Sequence, residues 1–376
     1  MNHTPTVRLI GENPIRLWGV TLHERVRRIA AADGLAMDDG AGDEAPAQRP
    51  ALLINSAYAF DPQWLRFMVE RPGCVLTIDG TPAIAHVTAA AGDAAQAMAS
   101  GALPGELQQV RAEDHKDFYN KALRKREWPF LIPLTRANVP AIEQASYKAS
   151  YKGVTDLLTK YLWPQLAFHL TRLAARIGLS PNMVTAIGAV GCVAATLLFA
   201  QGLYWTGLLV GFVFMVLDTV DGKLARCTIT SSKWGNVFDH GIDLIHPPFW
   251  WYGWGIGLSA WGLALPPQEF WVVMGVILAG YVLQRAIEGA FMRAFDGMHI
   301  HVWQRFDTWF RLITARRNPN MVILFVALLL GRPDIGLIAL AWWTAISLMV
   351  HAVRLLQAYA ARWRGQPVTS WLEQQA

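Results

Sequence analysis

Residues 217–243 read LDTVDGKLARCTITSSKWGNVFDHGID. Four aspartates, Asp218, Asp221, Asp239 and Asp243, stand here between two apolar, aromatic runs long enough to cross a bilayer. Carboxylates at the edge of lipid are costly, roughly 2.5–3.5 kcal/mol each even on the lenient insertion scale. Their spacing is informative. If 217–226 is the inner end of one helix, Asp218, Asp221, Gly222, Ala225 and Arg226 fall on one stripe. If 235–243 opens the next helix, Gly235, Asp239 and Asp243 share a face at intervals of four. Two helices then each present a carboxylate pair flanked by glycine or alanine, which lets backbones approach and leaves room for a ligand. One arginine cannot neutralise four carboxylates. Hard oxygen donors at this density suit Mg²⁺ or Mn²⁺, and two ions would balance the charge. Four solvated aspartates in a polar loop would explain the charge but neither the shared faces nor the small residues.

The surroundings are those of a membrane protein. The chain has 376 residues, 53% of them hydrophobic and 16% charged, with 17 Trp. The first 140 residues contain no long apolar run, but from Met183 onward such runs recur. Six candidate membrane helices cover about 183–201, 204–224, 237–262, 269–291, 319–332 and 335–357, the fifth short for a span. Turns on one side hold a single basic residue, Arg332, whereas the other side holds Lys223, Arg226, Arg293, Arg305, Arg316 and Arg362 among others. The positive-inside rule makes that side cytoplasmic, and an even number of helices places both termini there. Net charge +5 fits an anionic membrane surface better than nucleic acid. Residues 147–180 carry Leu166, Leu170, Leu173 and Ile177 at helical spacing, which predicts a helix lying along the headgroups. Cys74, Cys192 and Cys227 form no CxxC pair and read as free thiols.

The order D-x2-D-G-x2-A-R-x8-G-x3-D-x3-D is met from Asp218 to Asp243 without gap or substitution. It resembles the signature of the CDP-alcohol phosphatidyltransferase family. The upstream SPNMVT, with Pro181, Asn182 and Thr185, is similar to the segment that opens the first membrane helix in that family. The resemblance covers roughly residues 150–360. It implies phospholipid biosynthesis: a CDP-linked substrate such as CDP-diacylglycerol, attack by an alcohol hydroxyl, loss of CMP, and a homodimer in the membrane. It also implies roles. Asp218, Asp221, Asp239 and Asp243 would hold two Mg²⁺ or Mn²⁺ ions, and the base would be Asp243. The CDP-substrate would lie against Asp218, Gly222, Ala225, Arg226, Gly235, Asn182 and Thr185. The direction stays open, since a CDP-polar alcohol and a lipid hydroxyl would use the same motif. A metal or ion transporter built on the aspartates is the alternative of another class; it would leave Gly222, Ala225 and Arg226 unexplained.

The expected organisation is an N-terminal α/β domain (1–135), a linker with an interfacial helix (136–180), the six-helix domain (181–360) and a cytoplasmic tail (361–376). In the first domain, 7–10 and 50–55 read as strands, 21–34 and 60–70 as helices, and 74–87 as a hairpin around Asp79-Gly80. The acidic stretch 37–48 reads as a loop. The run NPIRLWGVTLHERVRRIAAADG is similar to the early part of nucleotidyltransferase domains of the cytidylyltransferase kind. The glycine-rich phosphate loop of such domains is reduced to Gly11, and Ser56, Ala57 and Tyr58 stand where a metal-binding aspartate is expected. The domain therefore reads as degenerate. For the acceptor, Arg285, Arg316 and Arg317 are candidate binders of a phosphorylated alcohol such as inositol phosphate or glycerol phosphate. The competing reading pairs Arg285 with Glu288 and leaves Arg316 and Arg317 as inside-positive anchors.

Overall fold

The structure is a computed structural model that describes residues 4–38, 50–88 and 91–374. Beyond Met37 and Asp38, the expected acidic loop lies outside the described residues.

The N-terminal domain is built on a mixed five-stranded sheet. Its strands are β1 (Thr6–Ile10), β2 (Ala51–Asn55), β3 (Cys74–Ile78), β4 (Thr81–Val87) and β5 (Gln108–Arg111), in the order β1-β2-β4-β3-β5. The pairs β1/β2 and β3/β5 are parallel, and the two central pairs are antiparallel. β2 is buried at every residue, as its unbroken ALLIN run requires. The β3–β4 turn places Asp79 and Gly80 at φ 48° and 75°, the left-handed pair that a two-residue hairpin favours.

Helix α1 (Leu22–Ala32) starts where Thr21 accepts a hydrogen bond from Glu24 N, and Gly34, at φ 73°, turns the chain away. Helix α2 (Pro62–Val69) is capped by Asp61. Helix α3 (Ala91–Ala99), strand β5 and a hairpin of Phe118–Asn120 with Lys125–Glu127 are additions to the expected elements.

Helix α4 (Val139–Ala149) leads through a wide turn at Leu158–Leu162 into α5 (Pro164–Arg176). In α5 the small residues Ala167, Thr171 and Ala174 are buried, while Leu166, Leu173 and Ile177 stay exposed. Three positions of the expected stripe thus face outward, while the fourth, Leu170, is half-buried against the core. Arg172 pairs with Glu143 of α4 at 2.8 Å.

The remaining chain is a bundle of α6 (Pro181–Ala200), α7 (Tyr204–Cys227), α8 (Lys233–Gly257), α9 (Pro267–Ala294), the short α10 (Arg305–Arg311), α11 (Arg317–Leu329) and α12 (Pro333–Trp363). Helices α6, α9 and α12 are long and apolar enough to cross a membrane, with mean hydropathies of 2.2, 1.7 and 1.7. Helices α7 and α8 carry the charged motif, and α11 has only 13 residues. The six long apolar runs of the sequence are thus six helices, and three of them meet the requirement for a span. Leu209 on α7, Ile245 on α8 and Leu329 on α11 are each more than three-fifths exposed, like Val190 on α6 and Leu356 on α12. Helix α11 ends before Gly331, which adopts φ 67°, and α12 runs six residues past its expected end.

One apolar core is continuous through both halves. It runs from Val26 and Trp64 beneath the sheet, through Trp18, Tyr147 and Trp163, to Phe214 and Trp250 of the bundle. Arg25 and Arg28 of α1 add polar joints. They donate to the carbonyls of Cys227 and Thr228 at 2.7 and 2.8 Å, where α7 ends.

Candidate functional site

Six motif residues, Asp218, Gly222, Ala225, Arg226, Asp239 and Asp243, line a cleft of about 410 Å³ between α7 and α8. Asp218, Asp239 and Asp243 each bring a carboxylate oxygen within 4.8 Å of the others. The helical stripes of the sequence therefore do converge. Asp221 is placed differently: it is buried, accepting from Thr185 Oγ1 of α6 and from the Gly222 amide, both at 2.5 Å. Thr185 is here a holder of Asp221.

Two small residues of the motif have structural reasons. A Cβ on Gly235 would lie 2.9 Å from Asn182 Oδ1. The asparagine at the start of α6 thus packs on the start of α8, where Ser232 caps the helix. A Cβ on Gly222 would meet the Arg226 guanidinium at 3.0 Å. Arg226 itself donates from Nε to the Ser150 carbonyl at 2.9 Å, and Ala225 lines the cleft beside it.

Arg317, at the start of α11, bridges the carboxylates. It donates to Asp218 at 2.7 Å and to Asp243 at 2.6 Å. Asp243 keeps 43% of its side-chain surface exposed, against 14% for Asp218. Asp243 is therefore the accessible member of the pair.

The far side of the cleft is basic. Glu288 of α9 accepts from Arg285 at 2.8 Å, from Arg316, and from His301 Nε2 at 3.2 Å. Both readings of Arg285 therefore meet here, since it is paired and lines the cleft. Sequence reasoning missed Arg124, Lys152 and Arg311, which line the same cleft. Burial, with Arg124 and Arg226 nearby, lowers the Lys152 ammonium to about 8. Burial and Arg316 lower Arg311 to about 9, and the same causes lower Arg124 to about 10. Against burial, Arg311 and the hydrogen bonds from Thr159 and Asn318 hold the Asp156 carboxyl below its usual range.

The turn after β1 offers little to a nucleotide. Gly11 adopts φ 79°, and a Cβ there would lie 2.9 Å from Ser56 Oγ. Asn13 fills the next space by donating to the carbonyls of Ser56 and Leu134 at 2.9 and 3.1 Å.

Residues 179–315 match the CDP-alcohol phosphatidyltransferase family. Cholinephosphotransferase 1 of Gallus gallus is 34% identical over 133 residues, 32% of this chain and 38% of that protein. The phosphatidylinositol phosphate synthase of Streptomyces avermitilis is 33% identical over 111 residues, 29% of this chain and 42% of that protein. The aligned regions span well under half the length of these curated relatives. The Mycobacterium tuberculosis phosphatidylinositol phosphate synthase solved with CDP-DAG bound has a TM-score of 0.40 and 19% identity, covering 51% of this chain and 94% of that one. With the three apolar helices, the family match makes this an integral membrane protein. Residues 179–315, with the whole aspartate motif inside them, match a CDP-alcohol phosphatidyltransferase domain.

Proposed function

We propose that the protein makes a phospholipid by moving a phosphatidyl group from CDP-diacylglycerol to the hydroxyl of a phosphorylated alcohol, with release of CMP. The observation that carries this reading is the meeting of Asp218, Asp239 and Asp243 within 4.8 Å in a cleft whose other wall is cationic. The acceptor oxygen attacks the phosphorus distal to cytidine. The bond from that phosphorus to the CMP oxygen breaks, and CMP leaves with the electron pair. Asp243, the exposed carboxylate, takes the hydroxyl proton. Arg226, lying across Gly222, is placed to offset charge on the pyrophosphate. Asn182 packs on Gly235 and so sets the start of α6 against the start of α8, next to the cleft.

The three carboxylates are an all-oxygen donor set that fits Mg²⁺ or Mn²⁺, with Asp221 buried behind them. A bound divalent ion supplies charge neutralisation at the transferring phosphoryl group. Arg317 now holds two of these carboxylates and supplies the counter-charge. The reading includes six membrane helices, with the cleft and both termini on the cytoplasmic side, and α5 lying on the headgroups through Leu166, Leu173 and Ile177. It also includes a homodimer.

The reverse assignment, a CDP-polar alcohol acting on a lipid hydroxyl, is favoured by the similarity to a cholinephosphotransferase. Purified full-length protein separates the two. CMP release is measured with CDP-diacylglycerol and a panel of phosphorylated and neutral alcohols, then with CDP-choline and diacylglycerol. The proposal expects release only in the first set, with phosphorylated alcohols, and its loss on chelation. Release only in the second set overturns the direction.

A further inference from the structure

Most cations of the cleft are already engaged. Arg285 and Arg316 share Glu288, Arg317 spans Asp218 and Asp243, and Arg226 holds the Ser150 carbonyl. Three others make no side-chain hydrogen bond or ion pair among the described residues: Arg124, Lys152 and Arg311. Arg124 Nε and Arg311 Nη1 are moreover enclosed without any partner. Enclosed charged donors without partners are costly, so native proteins satisfy them.

Two of the three come from outside the matched domain. Arg124 sits in the turn of the Phe118–Glu127 hairpin, at φ 53°, a left-handed conformation that an L side chain adopts rarely. The turn is fastened to the linker: Gly153 donates to the Leu123 carbonyl at 2.8 Å. A Cβ on Gly153 would lie 2.5 Å from the Arg124 carbonyl, so only glycine permits this approach. The contact brings Arg124 and Lys152 together at the cleft wall. Of the five cations Arg124, Lys152, Arg285, Arg311 and Arg316, two are offset by Glu288 and Asp156, which leaves a net excess of three positive charges. That excess fits a phosphate monoester dianion.

We infer that Arg124 and Lys152 bind the phosphate of the acceptor alcohol, so that the N-terminal domain supplies part of the substrate site. This rests on reading the cleft as the transferase site. Within that reading it names which residues take the acceptor's phosphate, and it gives the extra domain a task other than making nucleotides. Arg285 and Arg316, paired through Glu288, form the floor on which that phosphate sits.

The test uses the full chain in neutral detergent. Inorganic phosphate and glycerol 3-phosphate are titrated calorimetrically without CDP-substrate, so binding is read even where no chemistry follows. The expected result is measurable binding that weakens roughly ten- to a hundredfold in Arg124→Gln and in Lys152→Ala, with partial recovery in Arg124→Lys. Arg126→Ala is the control. It lies in the same hairpin but pairs with Asp117 and the Leu372 carbonyl, and it should stay within about twofold of wild type. In turnover, the KM for a phosphorylated acceptor should rise by the same factor, with the KM for the CDP-substrate unchanged.

Absence of binding in wild type overturns the inference. So does unchanged affinity in an Arg124→Gln protein that melts like wild type, or an equal loss in Arg126→Ala. Binding of short-chain phosphatidic acid but not glycerol 3-phosphate would assign the cations to a lipid headgroup and overturn the acceptor role. Arg124-dependent phosphate binding with no CMP release from any CDP-alcohol would sink the transferase reading, while the anion site would stand.

Discussion

Arg317 holds Asp243 at 2.6 Å, joining the start of α11 to the first turns of α8. Its other nitrogen holds Asp218 on α7, so one guanidinium ties three helices at the carboxylate cluster. Arg317→Ala leaves Asp218 and Asp243 facing each other without a counter-charge. The expected cost is about 3 kcal/mol in metal-free protein. Added Mn²⁺ should then raise the melting temperature more in the variant than in wild type. Equal shifts in both proteins would show that Arg317 and the ion do not share these carboxylates.

Asp243→Asn keeps the side-chain size and one oxygen but removes the base. Turnover should fall about 10²–10⁴-fold while CDP-substrate affinity stays near wild type. A variant retaining more than about a tenth of the wild-type rate would move the base elsewhere.

Glu288→Ala should harm stability more than Arg285→Ala does. Glu288 serves Arg285, Arg316 and His301 at once, and its loss strands two guanidiniums beside Arg311. Losing the shared partner should cost about 3–5 kcal/mol. Melting temperatures of the two variants, measured in the same detergent, decide the order.

Lys152 should make acceptor binding sensitive to pH. Its folded value of about 8 lies below its usual 10.5. The unfolded chain therefore binds more protons between these values, and stability rises with pH across that window. Affinity for the phosphate has the opposite sign, because the cation is lost above about 8. The acceptor KM should thus climb from pH 7 to 9 in wild type and climb clearly less in Lys152→Arg, whose guanidinium keeps its proton to higher pH. The same climb in Lys152→Arg would place the titration in another group.

The motif was readable because it obeys helical spacing, which is local. Asp218, Asp239 and Asp243 meet because two adjacent helices each present one face. The strands around 7–10 and 50–55 and the cap at Thr21 were readable for the same reason. Arg124 and Lys152 were not. The hairpin around Arg124 is polar and has no periodicity, and its fastening to Gly153 depends on a chain approach that no local pattern encodes. The Asp221–Thr185 bond and the bonds from Arg316 and His301 to Glu288 likewise join residues 36, 28 and 13 positions apart across separate elements; only the Arg285–Glu288 pair, one turn apart on α9, follows helical spacing. Spacing proposed which charges matter; tertiary packing chose their partners.

Arg25 and Arg28 bear on how the molecule is assembled. The carbonyls they take, at Cys227 and Thr228, close the helix that carries Asp218 and Asp221. The last carbonyls of a helix need partners, and here α1 provides two. The N-terminal domain precedes α7 in the chain, and domains generally fold as units in the order they are made. Where domains fold in the order of synthesis, the order of the chain sets the α1 donors ahead of the helix end that needs them.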